Sequence, residues 1–257
     1  METMLVDGVR LEVQRIGDPA GGLRATIIFL HEGLGSVAMW REWPARVCQA
    51  TGRAGIVYSR RGYGASEAIP DVRGAGRLAP DYMHREAFEV LPALLRVLGI
   101  ERPVLLGHSD GGSIALLHST QFPVAACVVM APHVIVEEVS VRSIEQARDA
   151  YLAGGLRERL ARYHADVDVA FWQWNDVWLS AGFRSFDIRP DCRRITAPVL
   201  ALQGVDDPYG TLRQVEEIAP TAGPFELEAI PACGHSPHRD QPERVTARIA
   251  AFLDAIA

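Results

Sequence analysis

The stretch Pro103-Val104-Leu105-Leu106-Gly107-His108-Ser109-Asp110-Gly111-Gly112-Ser113-Ile114-Ala115-Leu116 constrains this chain more than any other. A short apolar run enters a G-x-S-x-G pentapeptide and an apolar, helix-like run leaves it. In that strand–turn–helix setting the pentapeptide carries a nucleophilic serine. The turn holds the serine in strained backbone geometry, and small flanking residues relieve the crowding. Its hydroxyl then projects beyond the sheet edge, and the N-terminus of the next helix faces developing negative charge. Without a strand before and a helix after, the same residues would read as a Gly-rich helix start with Ser109 as its cap.

The flanking sequence supplies that setting. Leu5-Val6 and Val9 to Val13 around Asp7-Gly8 predict a hairpin. After a loop at Gly17-Asp18-Pro19-Ala20-Gly21-Gly22, continuous apolar runs at Ala25–Leu30, Ile56–Tyr58, Val104–Leu106, Cys127–Met130 and Val199–Leu202 predict strands buried on both faces, with Phe225–Ile230 a last one. Helices are expected at Met83–Leu98, Gly111–Gln121 and Gln241–Ile256; Leu91, Leu94, Leu95 and Leu98 form one apolar stripe. Alternating strands and helices imply an α/β fold with a mostly parallel sheet covered on both faces. The alternation breaks between about His133 and Pro190, where helices at Ser140–Leu152, Leu156–His164 and Val167–Leu179 predict a cap over the carboxyl ends of the strands. The expected division is a core of residues 1–132 and 191–257 with a cap at 133–190.

A serine needs a base, and the base needs an acid to hold its tautomer. Cys233-Gly234-His235-Ser236-Pro237-His238 follows the last predicted strand, and His235, beside a glycine that leaves room for its ring, is the candidate base. His238 is expected to pack. Two carboxylates compete in Gly204-Val205-Asp206-Asp207-Pro208. Asp207 precedes a proline, which restricts it to extended backbone; it is the candidate acid and Asp206 a turn former. The glycines of His31-Glu32-Gly33-Leu34-Gly35-Ser36 would let backbone N–H groups approach a substrate oxygen. The N–H of Asp110, directly after the serine, is the expected partner donor.

These segments together resemble the α/β-hydrolase superfamily over nearly the whole chain: His31-Glu32-Gly33-Leu34-Gly35, Arg61-Gly62-Tyr63-Gly64-Ala65-Ser66, Gly107 to Gly112, Gly204 to Asp207 and Gly234-His235, in the order serine, acid, histidine. The first segment looks like that of prolyl aminopeptidases and small esterases. The resemblance implies an α/β-hydrolase fold with an eight-stranded sheet, a cap after the sixth strand, no cofactor and no metal, and Gly33 as the first oxyanion N–H. It also favours Asp207, three residues past the strand-end glycine. Two residues depart from the common pattern. Glu32 stands where glycine is usual, and Asp110 follows the serine as in esterases resembling valacyclovir hydrolase, where the acid receives a substrate ammonium. Facing the pocket, both acids would select a cationic ester or amide; tied into local hydrogen bonds, they would be structural.

The expected activity is cleavage of a small to medium carboxylic ester or thioester through an acyl-enzyme. A C–C bond hydrolase or lactonase of aromatic-compound catabolism, or a non-turnover ligand receptor, would share the same three residues. Candidate substrate-binding residues are Glu32, Leu34, Trp172 and Trp178. In the segment Asp166–Leu179, Phe171, Trp174 and Trp178 share one helical face while Trp172 and Asn175 lie on another, so one face is expected to pack and one to meet an apolar, medium-sized group. Composition narrows the rest. With no lysine among 26 basic residues, Schiff-base, P-loop and aldimine chemistry are excluded. A net charge of −6 disfavours nucleic acid. No apolar run reaches a membrane span, the acidic start Met1-Glu2-Thr3-Met4 is unlike a secretory signal, and four scattered cysteines read as free thiols in a reducing compartment. A cytoplasmic monomer or homodimer acting on a small molecule is the expectation.

Overall fold

The computed structural model describes residues 1–18, 24–219 and 221–256; Pro19 to Gly22 of the expected loop lie outside them. The hairpin is β1 (Glu2–Val6) and β2 (Val9–Ile16), turned at Asp7 and Gly8, both of positive φ. The continuous apolar runs form β3 (Ile27–Leu30), β4 (Gly55–Tyr58), β5 (Val104–His108), β6 (Ala126–Met130) and β7 (Val199–Gly204), every residue of them buried. With β8 (Phe225–Ile230) they make one sheet in the order β1-β2-β4-β3-β5-β6-β7-β8, parallel from β4 onward and antiparallel at the hairpin. The first parallel strand pairs β4 and β5 with β3 at the centre, so the chain leaving β5 emerges mid-sheet. β8, at the edge, carries exposed polar positions, and Glu226 and Glu228 pair with Arg244 and Arg248. Charged edge positions of this kind discourage further strand pairing.

The helices of six or more residues are α1 (Trp43–Thr51), α2 (Leu91–Leu98), α3 (Asp110–Ser119), α4 (Glu138–Leu152), α5 (Gly155–Leu160), α6 (Val167–Trp178) and α7 (Pro242–Ala255). On one sheet face Val47, Ile249 and Phe252 from α1 and α7 pack with Ile27, Phe29 and Val57. The other face packs Ile28, Ile56 and Leu105 against α2, α3 and the helices between β6 and β7. The chain leaves the sheet at Met130 and returns at Val199; between them the described residues form helices, with one isolated bridge, Ile135 to Asp187.

Two local features depart from the sequence expectation. The helix α1 was not apparent, because Pro44 reads as a breaker; it sits in the first helical turn, where a missing N–H costs nothing. The run expected as one helix from Met83 to Leu98 is a turn of α-helix (Tyr82–Arg85), a π-helical turn (Glu86–Val90) and then α2. The widened turn lies directly ahead of Pro92, whose ring would collide with the carbonyl four residues earlier in a regular helix.

The π-helical turn begins at Glu86, whose Oε2 is enclosed without a hydrogen-bond partner. Burial pushes its carboxyl up to about 7, aided by Glu89 and opposed by Arg60 and Arg85. A carboxyl with a raised folded-state pKa contributes stability that is fully present below its unfolded pKa and is lost as pH rises through the folded value. Glu86→Gln therefore gains on the parent between pH 5 and pH 8. Calorimetry should show the difference in Tm widening by several degrees (roughly 2–4 °C per kcal/mol at this size); a difference independent of pH would contradict the burial of a titrating carboxyl here.

Candidate active site

Three backbone segments converge at Ser109. The serine joins β5 to α3 with φ 52° and ψ −120°, a region that costs a non-glycine residue roughly 1–3 kcal/mol. Its N–H donates to the Met130 carbonyl at 2.9 Å, and its carbonyl accepts from the Gly112 N–H at 2.8 Å. The flanking glycines are obligatory for contact, not for φ. A Cβ on Gly107 would stand 2.2 Å from the Gly111 carbonyl oxygen, and one on Gly111 would stand 2.1 Å from the Leu30 carbonyl oxygen.

The residues after β7 and β8 close on this turn. His235 Nε2 lies 3.0 Å from Ser109 Oγ, and His235 Nδ1 lies 2.8 Å from Asp207 Oδ2. The Asp207 side chain is 1% exposed and also accepts from Gln203 Nε2 and the Tyr209 N–H, both at 2.7 Å. Burial alone would raise its carboxyl; the hydrogen bond and charge of His235, the Tyr209 N–H and His133 together hold it below the usual range. Asp206 is exposed, its N–H donating to the Cys233 carbonyl at 2.9 Å, so the turn places Asp207 and not Asp206 against the histidine. His108 Nε2 donates to the His235 carbonyl at 2.7 Å, anchoring the backbone of that loop. His238 packs among Trp40, Trp43 and His108, with ring centroids 4.8–5.1 Å apart.

The loop after β3 is held from below by Arg60. Its Nη1 donates to the His31 carbonyl at 2.6 Å and its Nη2 to the Glu32 carbonyl at 3.1 Å. His31 accepts the Arg60 N–H at Nε2 (3.0 Å) and donates from Nδ1 to the Glu32 carbonyl (2.6 Å), which requires the neutral Nδ1–H tautomer. Burial, reinforced by Arg60, lowers its pKa well below the ordinary value and keeps it so. Among the described residues no acceptor is bonded to the Gly33 N–H.

The two acids that departed from the common pattern are both engaged by protein groups. Asp110 is fully buried; its carboxylate accepts from Tyr82 Oη at 2.6 Å and Trp178 Nε1 at 3.2 Å, with Arg60 Nη2 at 3.8 Å. Burial raises its pKa against the opposing pull of Arg60, Tyr82, Trp178 and His235. Glu32 Oε2 lies 3.5 Å from His108 Nδ1 and faces Gly35. Burial would raise that carboxyl, but His108, the nearest of the surrounding histidines, lowers it. An ammonium group would have to displace Tyr82 and Trp178 to reach Asp110.

Above Ser109 is a cavity of about 130 Å³. Of the candidate binding residues, Glu32, Leu34 and Trp178 border it, and Trp172 does not. The Trp172 ring lies 3.9 Å beneath the Arg73 guanidinium, on the other side of α6, where it covers the helix from solvent. Trp174 takes the place expected of Trp172, and His133, Ile144 and Tyr209 complete the wall. The spacing of four between Trp174 and Trp178 already put them on one face; what local spacing lacked was which face turns inward. His133 and Arg60 carried no signal, since each lies in an unremarkable loop and acts on residues far away in the chain. The cavity is smaller than the medium-sized space expected, and its accessible lining is mainly apolar. Among the described residues, no three His, Cys, Asp or Glu side chains come together as a metal-binding set, and no helix is long and apolar enough to cross a membrane.

The crowding around Ser109 makes a stability test. Gly107→Ala drives a methyl into rigid backbone and is expected to cost roughly 3 kcal/mol or more, read as a fall in the urea midpoint. Gly155→Ala, whose Cβ meets only Arg159 Nη1 at 3.8 Å, should leave that midpoint unchanged or raise it. Equal midpoints for the two variants would show that the turn is not tightly packed.

Comparison with known proteins places this geometry. A model described as the alpha/beta hydrolase family matches residues 27–248. The mouse sn-1-specific diacylglycerol lipase ABHD11 is 26% identical over 256 residues, covering 88% of this chain and 80% of that protein. Among solved structures, the meta-cleavage product hydrolase CumD from Pseudomonas fluorescens IP01 superposes with a TM-score of 0.76 at 16% identity, covering 100% of this chain and 98% of that one. The enol-lactonase from Burkholderia xenovorans LB400 gives 0.73 at 20% identity, covering 98% and 100%.

Proposed function

As this chain belongs to the alpha/beta hydrolase family, we propose that it is a serine hydrolase of carboxylic esters or thioesters, with Ser109 as nucleophile, His235 as base and Asp207 as orienting acid. The observation that carries this reading is the unbroken hydrogen-bonded line from Ser109 Oγ through His235 to Asp207, at 3.0 and 2.8 Å. Ser109 Oγ attacks the substrate carbonyl carbon as His235 Nε2 takes its proton, and the buried Asp207 carboxylate stabilises the imidazolium. The Gly33 and Asp110 N–H groups receive the oxyanion, where each donor contributes about 2.7–4 kcal/mol to such a step. The tetrahedral intermediate collapses, and the leaving alcohol or thiol departs with the proton from His235. Water, deprotonated by the same imidazole, then attacks the acyl-enzyme and releases the acid and free serine.

The helices between residues 133 and 190 act as the cap, a reading supported by Ile144, Trp174 and Trp178 bordering the cavity from that segment. The hydrogen bonds from Trp178 to Asp110 and from His164 Nε2 to the Leu34 carbonyl (3.0 Å) hold it against the core. The relatives named as a diacylglycerol lipase and an enol-lactonase are in keeping with oxygen-ester chemistry. Because Asp110, the acid beside the serine, is occupied by Tyr82 and Trp178, it is not offered to a substrate ammonium.

The test is a panel of chromogenic esters and thioesters of varied acyl length, alongside labelling by a fluorophosphonate probe. Ser109→Ala should lower turnover by roughly 10³-fold or more and abolish labelling. A variant that keeps near-parental turnover would refute the assignment, and stoichiometric labelling of the parent with negligible steady-state hydrolysis would favour a receptor.

A further inference from the structure

The wall of the Ser109 cavity presents two hydrogen-bonding side chains that the acyl-transfer steps do not use. Trp174 is 7% exposed, and its indole lies on the oxyanion loop, with Nε1 2.2 Å from where a Cβ on Gly33 would stand. Among the described residues nothing accepts from that N–H. His133 is 3% exposed, its ring 5.8 Å from the His235 ring and 4.9 Å from the Trp178 ring. Its Nδ1 is enclosed without a partner, and no described residue bonds its Nε2. Of the other polar side chains that line the cavity, Asp110 is held by Tyr82 and Trp178, Ser109 and His235 by each other, Glu32 lies 3.5 Å from His108, and the Tyr209 ring lies 4.7 Å from that of His235.

An indole N–H or an imidazole nitrogen closed off from water and left unpaired costs about 1–3 kcal/mol. A purely hydrocarbon acyl group filling about 130 Å³ would impose that cost on both groups by displacing any water from them. An acyl group bearing its own oxygen would instead pair with them on binding. His133 suits such an oxygen because burial, with help from His235, lowers its pKa to about 3. The ring is therefore neutral near pH 7 and offers one donor and one acceptor, whereas Trp174 offers a donor only. One side chain lies over the loop at Gly33 and the other beside His235.

Resting on the serine-hydrolase reading above, we propose that the natural substrates are small esters whose acyl group carries a second oxygen, a hydroxyl or carbonyl within two carbons of the scissile carbonyl, recognised by Trp174 Nε1–H and the His133 imidazole. Specificity then arises as in any site built to bond a polar group: an analogue lacking the oxygen leaves buried protein atoms unpaired and is rejected more strongly than its lost contacts alone would suggest.

The experiment uses matched pairs that exchange hydroxyl for methyl. Methyl 3-hydroxybutanoate is compared with methyl 3-methylbutanoate, and methyl 2-hydroxybutanoate with methyl 2-methylbutanoate, each rate divided by its alkaline hydrolysis rate. The better hydroxy ester should exceed its partner at least about 30-fold in kcat/KM, and Trp174→Phe or His133→Phe should each shrink that ratio at least about fivefold. Hydroxy esters no better than their hydrocarbon partners, in both pairs, would overturn the proposal. A binding arm separates this outcome from failure of the hydrolase reading: Ser109→Ala titrated calorimetrically with the same esters should hold the preferred hydroxy ester at least about tenfold more tightly. Should the parent neither turn over esters nor be labelled at Ser109, the hydrolase reading falls, and the binding ratio alone decides this inference, equal affinities overturning it.

Discussion

The close approach of three backbone segments at Ser109 is the constraint on which the rest depends. Gly107 faces the Gly111 carbonyl and Gly111 faces the Leu30 carbonyl, at separations that leave no space for a methyl group. Because β5 is flanked by β3 and β6, the strained serine is gripped from both sides, and the Met130 carbonyl takes its N–H. The strain is stable because many buried neighbours determine it together. Its consequence is directional: the hydroxyl is offered at the carboxyl ends of the strands, where the loops after β3, β7 and β8 also end.

Around that turn, polar groups are fixed by pairs that reach far along the chain. Arg60 holds two carbonyls of the loop after β3 and sits beside Asp110, and Asp110 in turn receives Tyr82 and Trp178. A single buried carboxylate thus ties the helix after the serine to the core and to the helical insert. Such a network is strong when complete and costly when one member is removed, because a buried charge loses its compensation. His31 and His108, each donating to a carbonyl, set the loop after β3 and the backbone at His235. The positions of reactive atoms are therefore decided by second contacts as much as by the reactive residues.

The sequence alone determined the α/β class, the parallel strands, and the order of serine, acid and histidine, because these rest on local rules. Continuous apolar runs of strand length, a G-x-S-x-G between strand and helix, and a proline after Asp207 are each legible within a few residues. Helix α1 and the π-helical turn before Pro92 lie outside that expectation, because apolar spacing marks a helical run without distinguishing a widened turn within it.

Only the tertiary structure decided which aromatic faces the cavity, what occupies Asp110 and Glu32, and that His133 and Trp174 stand unpartnered beside the serine. Helical spacing groups Trp174 with Trp178 and sets Trp172 apart, but the inward face of an insert is chosen by what it packs on, here Tyr82, Asp110 and the loop at Gly33. Those residues lie from 68 to 141 positions away from the tryptophans that meet them. No periodicity spans that distance; burial of polar groups is a property of the assembled interior, where each needs a partner from whichever segment the fold brings to it.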